Sequence, residues 1–335
     1  MRHIPLSLAA ALAGLGLILW GIRILNTILG RRTSRRFNIL ARLTQNPVRS
    51  FLTGLGATTL LQSSSLVTVL AVALANAGLT GLRSSIGVVL GANLGTTATA
   101  QLAGLKISSV GVPILALGSV CRILGRRTRR EAEGYALVRS GSLMIGMGLL
   151  MTGFLVLDVG ASLAGPAFRK LLAESLGARG SWGWFAAGTV FTAVVQSSSV
   201  ITVVLVSMAS TGLIAAGQAL PLMLGANVGT CVTALAASAA GGPAGKRVAA
   251  ANLVVNLAGA LPVMAVLPWF ESIVTILSDD PGRRVAHAHT LFNLFTAVMF
   301  LPLAGVLARI LTLAVPGTSA ASAGAARRGW VSRQG

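Results

Sequence analysis

Acidic residues are scarce in this chain: Asp and Glu number 7 among 335 residues, and charged residues of either sign make up 10%. Soluble domains carry roughly 25% charged residues, so a fully hydrated surface is excluded. With 54% hydrophobic residues and a mean hydropathy of +0.81, the solvent is a lipid bilayer. Cysteine is scarcer still: Cys121 and Cys231 cannot form a disulfide framework and read as small packing residues. No segment alternates apolar and polar residues over the ~10 positions of a membrane strand, which argues against a β-barrel. Asp158, Glu174 and Glu271 fall at the ends of expected spans or in loops, so coupling through a buried carboxylate is not expected.

What the chain has is apolar length. Residues 4–29, 137–157 and 248–267 each approach or exceed the ~20 residues of a spanning helix, so the expected class is an all-α integral membrane protein. The net charge of +20 would suit nucleic acid in a soluble protein. Here the charge sits in short loops, as the positive-inside rule requires, and no nucleic-acid partner is expected. Arg31, Arg32, Arg35, Arg36, Arg42 and Arg49 form one basic loop, and Arg122, Arg126, Arg127, Arg129, Arg130 and Arg139 another. Both are expected in the cytoplasm, against anionic lipid. Residues 158–179 and 271–284 mix charge signs and read as external loops. Met1-Arg2-His3 before an apolar run resembles a signal peptide, but the run is too long, and a retained first helix is expected.

Residues 54–99 recur as residues 188–233, offset by 134, with 19 identities in 46 positions. Nearly half of these lie in two motifs. Gln62-Ser63-Ser64-Ser65 becomes Gln196-Ser197-Ser198-Ser199, and Gly91-Ala92-Asn93-Leu94-Gly95-Thr96 becomes Gly225-Ala226-Asn227-Val228-Gly229-Thr230. The residues before and after each polar quartet suit two half-helices meeting at a turn, a re-entrant hairpin. Loop charge makes the first hairpin open to the cytoplasm and the second to the outside, an inverted repeat. The expected organisation is one membrane domain over residues 1–335, in a cell membrane, with the N-terminus external. A first helix (4–29) precedes repeat one (42–124), a connecting helix (136–158), repeat two (169–269), a last helix (285–313) and a basic cytoplasmic tail (314–335). About seven spanning helices and two hairpins result.

Hydroxyls and amides are expensive in hydrocarbon unless they are bonded. Where a helix breaks, free N–H groups at the positive dipole end can hold an oxyanion without a formal cation. Carbonyls at the opposite end, with Ser and Thr oxygens, suit a hard monovalent cation. Helix packing and back-bonding to i−4 carbonyls are the plain alternatives for these residues. Glycines spaced four apart in the second motif allow close helix approach, while Asn93 and Asn227 project amides at an expected helix interruption.

These paired motifs resemble the type II sodium–phosphate cotransporter family and its bacterial relatives. The stretch from Val285 to Asn293, with His287 and His289, is similar to that family's closing helix. The resemblance covers residues 10 to 310. It implies a phosphate site between the hairpins and sodium as coupling ion, with no other metal and no cofactor. Gln62, Ser63, Ser64, Ser65, Gln196, Ser197, Ser198 and Ser199 become substrate and sodium ligands, supported by Thr68, Asn93, Thr96, Thr97, Thr202, Asn227 and Thr230. Cys231 stands where copy one has Thr97, so strict equivalence of ion sites is broken. About 20 residues follow the last span, which points to the branch without a PhoU-like domain. His287 and His289, two apart, face different sides and read mainly as interface or capping residues. A different small anion (sulfate, arsenate or an organic anion) is the near alternative. An intramembrane serine hydrolase using Ser64 or Ser198 is the remote one, since no Gly-x-Ser-x-Gly elbow surrounds either serine. A homo-oligomer is compatible with the sequence.

Overall fold

The computed structural model describes residues 4–30, 44, 46–105, 107–128, 131–177 and 180–316, and among these every regular element is helical. The first half holds α1 (Ile4–Gly30), α2 (Pro47–Leu61), α3 (Ser64–Asn76), α4 (Leu82–Gly104) and α5 (Gly111–Arg127). The long α6 (Glu131–Gly177) leads into α7 (Gly180–Val195), α8 (Ser198–Ser210), α9 (Ala216–Gly229), α10 (Cys231–Ala239) and α11 (Pro243–Ala265). The chain closes with α12 (Leu267–Leu277) and α13 (Pro281–Ala314). Helix starts carry the expected signals. Asn46 Oδ1 accepts from Arg49 N at 2.8 Å ahead of Pro47, and Asp280 Oδ1 accepts from Arg283 N at 2.9 Å ahead of Pro281.

Glycine contacts fix the direction of packing. A Cβ on Gly87 would lie 2.4 Å from the Pro47 carbonyl oxygen, one on Gly91 1.9 Å from that of Phe51, and one on Gly95 2.7 Å from that of Leu55. Partners advance together along the chain, so α2 and α4 run parallel. The second copy does the same: Gly225 meets Phe185 O at 2.0 Å and Gly229 meets Thr189 O at 2.3 Å. Because α2 ends beside the far part of α4, α3 must run back to reach the start of α4. Each repeat is therefore a helical hairpin laid against a long helix, and the glycines let backbones touch where side chains would hold them apart.

The ends of the hairpins dock on opposite ends of the molecule. Asn76, closing α3, accepts from Gly245 N at 2.7 Å at the start of α11, beside Lys246 and Arg247. Arg247 Nε donates to Val315 O at 2.9 Å, so the end of α13 belongs to the same face. Ser210, the counterpart of Asn76, donates instead to Asp280 Oδ1 at 3.4 Å at the start of α13. That face also holds the end of α4, where Gln101 Nε2 donates to Ala286 O at 3.1 Å. The 77–81 connection thus lies with Lys246, Arg247 and Val315, and the 211–215 connection with Asp280.

Four helices among the described residues are long and apolar enough to cross a membrane: Glu131–Leu163, Ala216–Ala239, Pro243–Ala265 and Pro281–Ala314. The 23-residue α4 is long enough too, but its Ser, Thr and Asn side chains face protein, with most of the helix buried. One expectation needs correction. The connecting helix does not end at 158: α6 is continuous from Glu131 to Gly177, so Asp158 lies inside a helix, half-buried against α8. No glycine or proline interrupts the chain near Asp158 strongly enough to stop a helix already held by neighbours. At the end of repeat one, a 3-10 turn, Ile107–Val110, leads into the 17-residue α5. The basic loop at 31–43 and the tail from 317 lie outside the described residues.

Helices α1, α5 and α6 form a flank held by glycines. Gly118 and Gly141 oppose each other in α5 and α6, each Cβ position lying 2.7 Å or less from the other's carbonyl oxygen. Gly14 and Gly153 do the same between α1 and α6, at 2.8 and 2.7 Å. Ile18, Leu150, Phe154 and Leu157 then join Val203 of α8 in one apolar cluster, which ties the flank to the second hairpin.

Candidate anion and cation site

Both polar quartets form at a break between half-helices, and the break has one geometry twice. Gln62 and Gln196 have φ of 54° and 58°, the only non-glycine residues with positive φ among those described. This left-handed conformation ends α2 and α7 and costs roughly 1–2 kcal/mol for a side chain that is not glycine. Their N–H groups still close the last helical turn, on Thr58 O at 2.7 Å and Thr192 O at 2.6 Å. Ser63 and Ser197 then adopt extended backbone and cap the return helices. Their Oγ atoms accept from Leu66 N at 3.3 Å and Val200 N at 3.4 Å. The N–H groups of Ser64, Ser65, Ser198 and Ser199 stand in the first turn, where a helix supplies no acceptor.

The two breaks meet. Ser65 Oγ donates to the Gln196 carbonyl oxygen at 3.1 Å, across 131 residues of sequence. Ser64, Ser198 and Ser199 are buried around this contact. Two positive helix ends thus converge on a place with no Lys, Arg, Asp or Glu in either quartet. Each break also presents the carbonyl end of α2 or α7, so opposite dipole ends stand a few residues apart.

The supporting residues divide. Thr96, Thr97 and Thr230 donate to Ala92 O, Leu94 O and Ala226 O at 2.8–3.0 Å, so their protons serve their own helices. Thr68 and Thr202 are buried in the return helices, and Thr202 Oγ1 has no partner. Asn93 donates to Asn256 Oδ1 at 3.4 Å. Asn227 donates to Met223 O at 3.0 Å, and its Oδ1 meets His289 Nε2 at 3.3 Å. Of the interruption expected near both asparagines, copy two shows only one turn residue, Thr230, with helical backbone (φ −61°, ψ −23°) between α9 and α10; α4 runs on unbroken. Cys231 is free and buried, its Sγ near Asn227 O at 3.7 Å and Asn252 O at 3.6 Å.

Sequence reasoning missed several polar residues here. Thr99 donates to Gln62 Oε1, while its counterpart Thr233 holds a buried Oγ1 without a partner. Thr58 and Thr192, one turn before each glutamine, are fully buried, and their hydroxyls have no partner among the described residues. Identity between the copies at 58/192 and 99/233 was the available signal. Asn252 and Asn256, one turn apart in α11, form an amide ladder at 2.9 Å. His289, expected at an interface or cap, is fully buried in the core instead, whereas His287 is near Gln101 Nε2 at 3.4 Å.

A family model described as Na+/Pi-cotransporter matches the chain twice, over residues 17–157 and 149–300, echoing the internal repeat. The uncharacterized protein YqeW of Bacillus subtilis (strain 168) is 34% identical over 280 residues, 83% of this chain and 88% of that protein. YjbB of Escherichia coli (strain K12), named as a candidate inorganic phosphate export protein, is 27% identical over 313 residues; the match takes in 91% of this chain but 55% of YjbB. Sodium-dependent phosphate transport protein 2A of Rattus norvegicus is 36% identical over 97 residues, 25% of this chain and 15% of that protein. No solved structure matches. With most of its length covered by the paired family matches, the chain belongs to the Na+/Pi-cotransporter family.

Proposed function

We propose that this chain is a sodium-coupled carrier of inorganic phosphate, working by alternating access around one site between the two Gln-Ser-Ser-Ser breaks. The observation that carries the reading is the Ser65–Gln196 contact, which brings two distant quartets into one place. Phosphate oxygens are held by the first-turn N–H groups of α3 and α8 and by the hydroxyls of Ser64, Ser65, Ser198 and Ser199. Sodium is held by carbonyls at the ends of α2 and α7, with hydroxyl oxygens completing its shell. It offsets the anion's charge where the protein supplies none. In this reading α2–α3 and α7–α8 are re-entrant hairpins entering from opposite faces, and seven helical segments cross the bilayer. The face bearing Lys246 and Arg247 is cytoplasmic, the N-terminus is external and the C-terminus cytoplasmic. Direction follows from gradients rather than fold, which accommodates relatives named for export as well as for sodium-dependent transport.

Radiolabelled phosphate uptake into proteoliposomes tests this reading. Uptake should rise with an inward sodium gradient and fall on replacing Gln62 or Gln196 by alanine. Uptake indifferent to sodium removes the coupling claim, and sulfate carried in preference to phosphate selects the alternative anion.

A further inference from the structure

The two glutamines share a backbone but not a bonding state. Their φ angles differ by only a few degrees, at 54° and 58°, so the difference lies in the side chains. The Gln62 amide is committed at both ends: Oε1 accepts from Thr99 Oγ1, and Nε2 donates to Thr59 O at 2.6 Å, leaving the residue 8% exposed. Gln196 is exposed, and its amide has no partner among the described residues. Thr233, in the position equivalent to Thr99, has its hydroxyl sealed from solvent and no partner for it among the described residues. Buried hydroxyls without partners are rare, and each calls for an explanation. The partner that repeat symmetry assigns to Thr233 is the exposed amide of Gln196.

We propose that Gln62 and Gln196 exchange these roles during transport, with Thr99 and Thr233 as their alternating docks. The docked glutamine pins its hairpin tip to the long helix behind it. The released glutamine turns its amide towards the anion, where two N–H donors become ligands. The conformation described here has the first hairpin docked and the second released. Ser65, bonded to the Gln196 carbonyl, keeps the second break in place while its side chain swings. The inference rests on the carrier reading and adds to it a specific pair of threonines and an order of events.

Isosteric valine at each threonine tests it in the full-length protein. Thr99→Val removes the partner of a buried amide and should lower the thermal unfolding midpoint. Thr233→Val removes a hydroxyl that bonds nothing here, and should leave that midpoint unchanged or raised. Both variants should lose about tenfold or more in the maximal rate of sodium-driven phosphate uptake, the signature of a blocked conformational step. Phosphate affinity of the detergent-solubilised protein should shift by less than about twofold, and Thr233→Ser should restore the rate. Wild-type transport by Thr233→Val, or loss of its affinity in step with its rate, overturns the exchange. A wild-type protein that neither binds nor carries phosphate overturns the carrier reading itself, and the inference with it.

Discussion

Replacing Gly54 by alanine should cripple this protein, while the same change at Gly56, in the same helix, should be harmless. A Cβ on Gly54 would lie 2.2 Å from the Val88 carbonyl oxygen, whereas one on Gly56 meets nothing within 4 Å. Ordinary contact begins at 3.4 Å, so α2 and α4 must separate by about 1.2 Å to admit the methyl group. Overpacking of this kind costs about 1–3 kcal/mol. Both substitutions gain up to about 1 kcal/mol of helix propensity, so the steric cost is the difference between the two variants. The displacement also reaches the hairpin tip, two turns onward, where the Ser65–Gln196 bond at 3.1 Å has no slack. Gly188, the counterpart of Gly54, faces Leu222 O at 2.0 Å and should behave alike. Thermal unfolding in detergent and phosphate uptake in proteoliposomes read both consequences. Wild-type stability and uptake in Gly54→Ala, or equal damage in Gly56→Ala, would refute the close-packed parallel pairing.

Other perturbations probe separate parts of the structure. Gln62→Gly should be more stable than Gln62→Ala by about 1 kcal/mol in thermal unfolding, because glycine adopts positive φ without penalty, yet neither should transport. Asn76→Ala removes the side chain that accepts from Gly245 N and should cost about 1 kcal/mol, as for a lost helix cap; an unchanged unfolding midpoint would count against the docking of α3 on α11. Asn256→Leu strands the amides of Asn93 and Asn252 and should destabilise by about 1–3 kcal/mol, read by denaturation of the solubilised protein.

The repeat was legible because polar residues in an apolar chain stand out, and because duplication marks them twice. Loop charge groups the end of the first hairpin with Lys246 and Arg247 and the end of the second with Asp280, and the contacts of Asn76 and Ser210 join those same segments. The parallel run of α2 beside α4 was not legible, since glycine spacing permits close approach without giving its direction. The left-handed glutamines were hidden for a different reason: nothing in local propensity places Gln at positive φ, and tertiary packing imposes it. Asp158 was misplaced because a charge after an apolar run looks like the end of a span, while the fold carries the helix through it. Thr96 and Thr230 show what a motif leaves open. Their motif marks them as ligands; their hydroxyl protons go to their own helix turns, which leaves only the oxygen lone pairs for a cation. Thr99, which bonds Gln62, and its counterpart Thr233 lie beyond the motif and are found only by asking which residue fills the same place in both copies.

Equilibrium binding of radiolabelled phosphate to the purified protein, with sodium present, tests the central claim most directly. One site built from two helix ends predicts one phosphate per chain, with binding abolished by disabling either break, whether Ser64 and Ser65 or Ser198 and Ser199 are replaced by alanine. Two phosphates per chain, or half the binding surviving the loss of one break, would mean independent sites and would contradict the account.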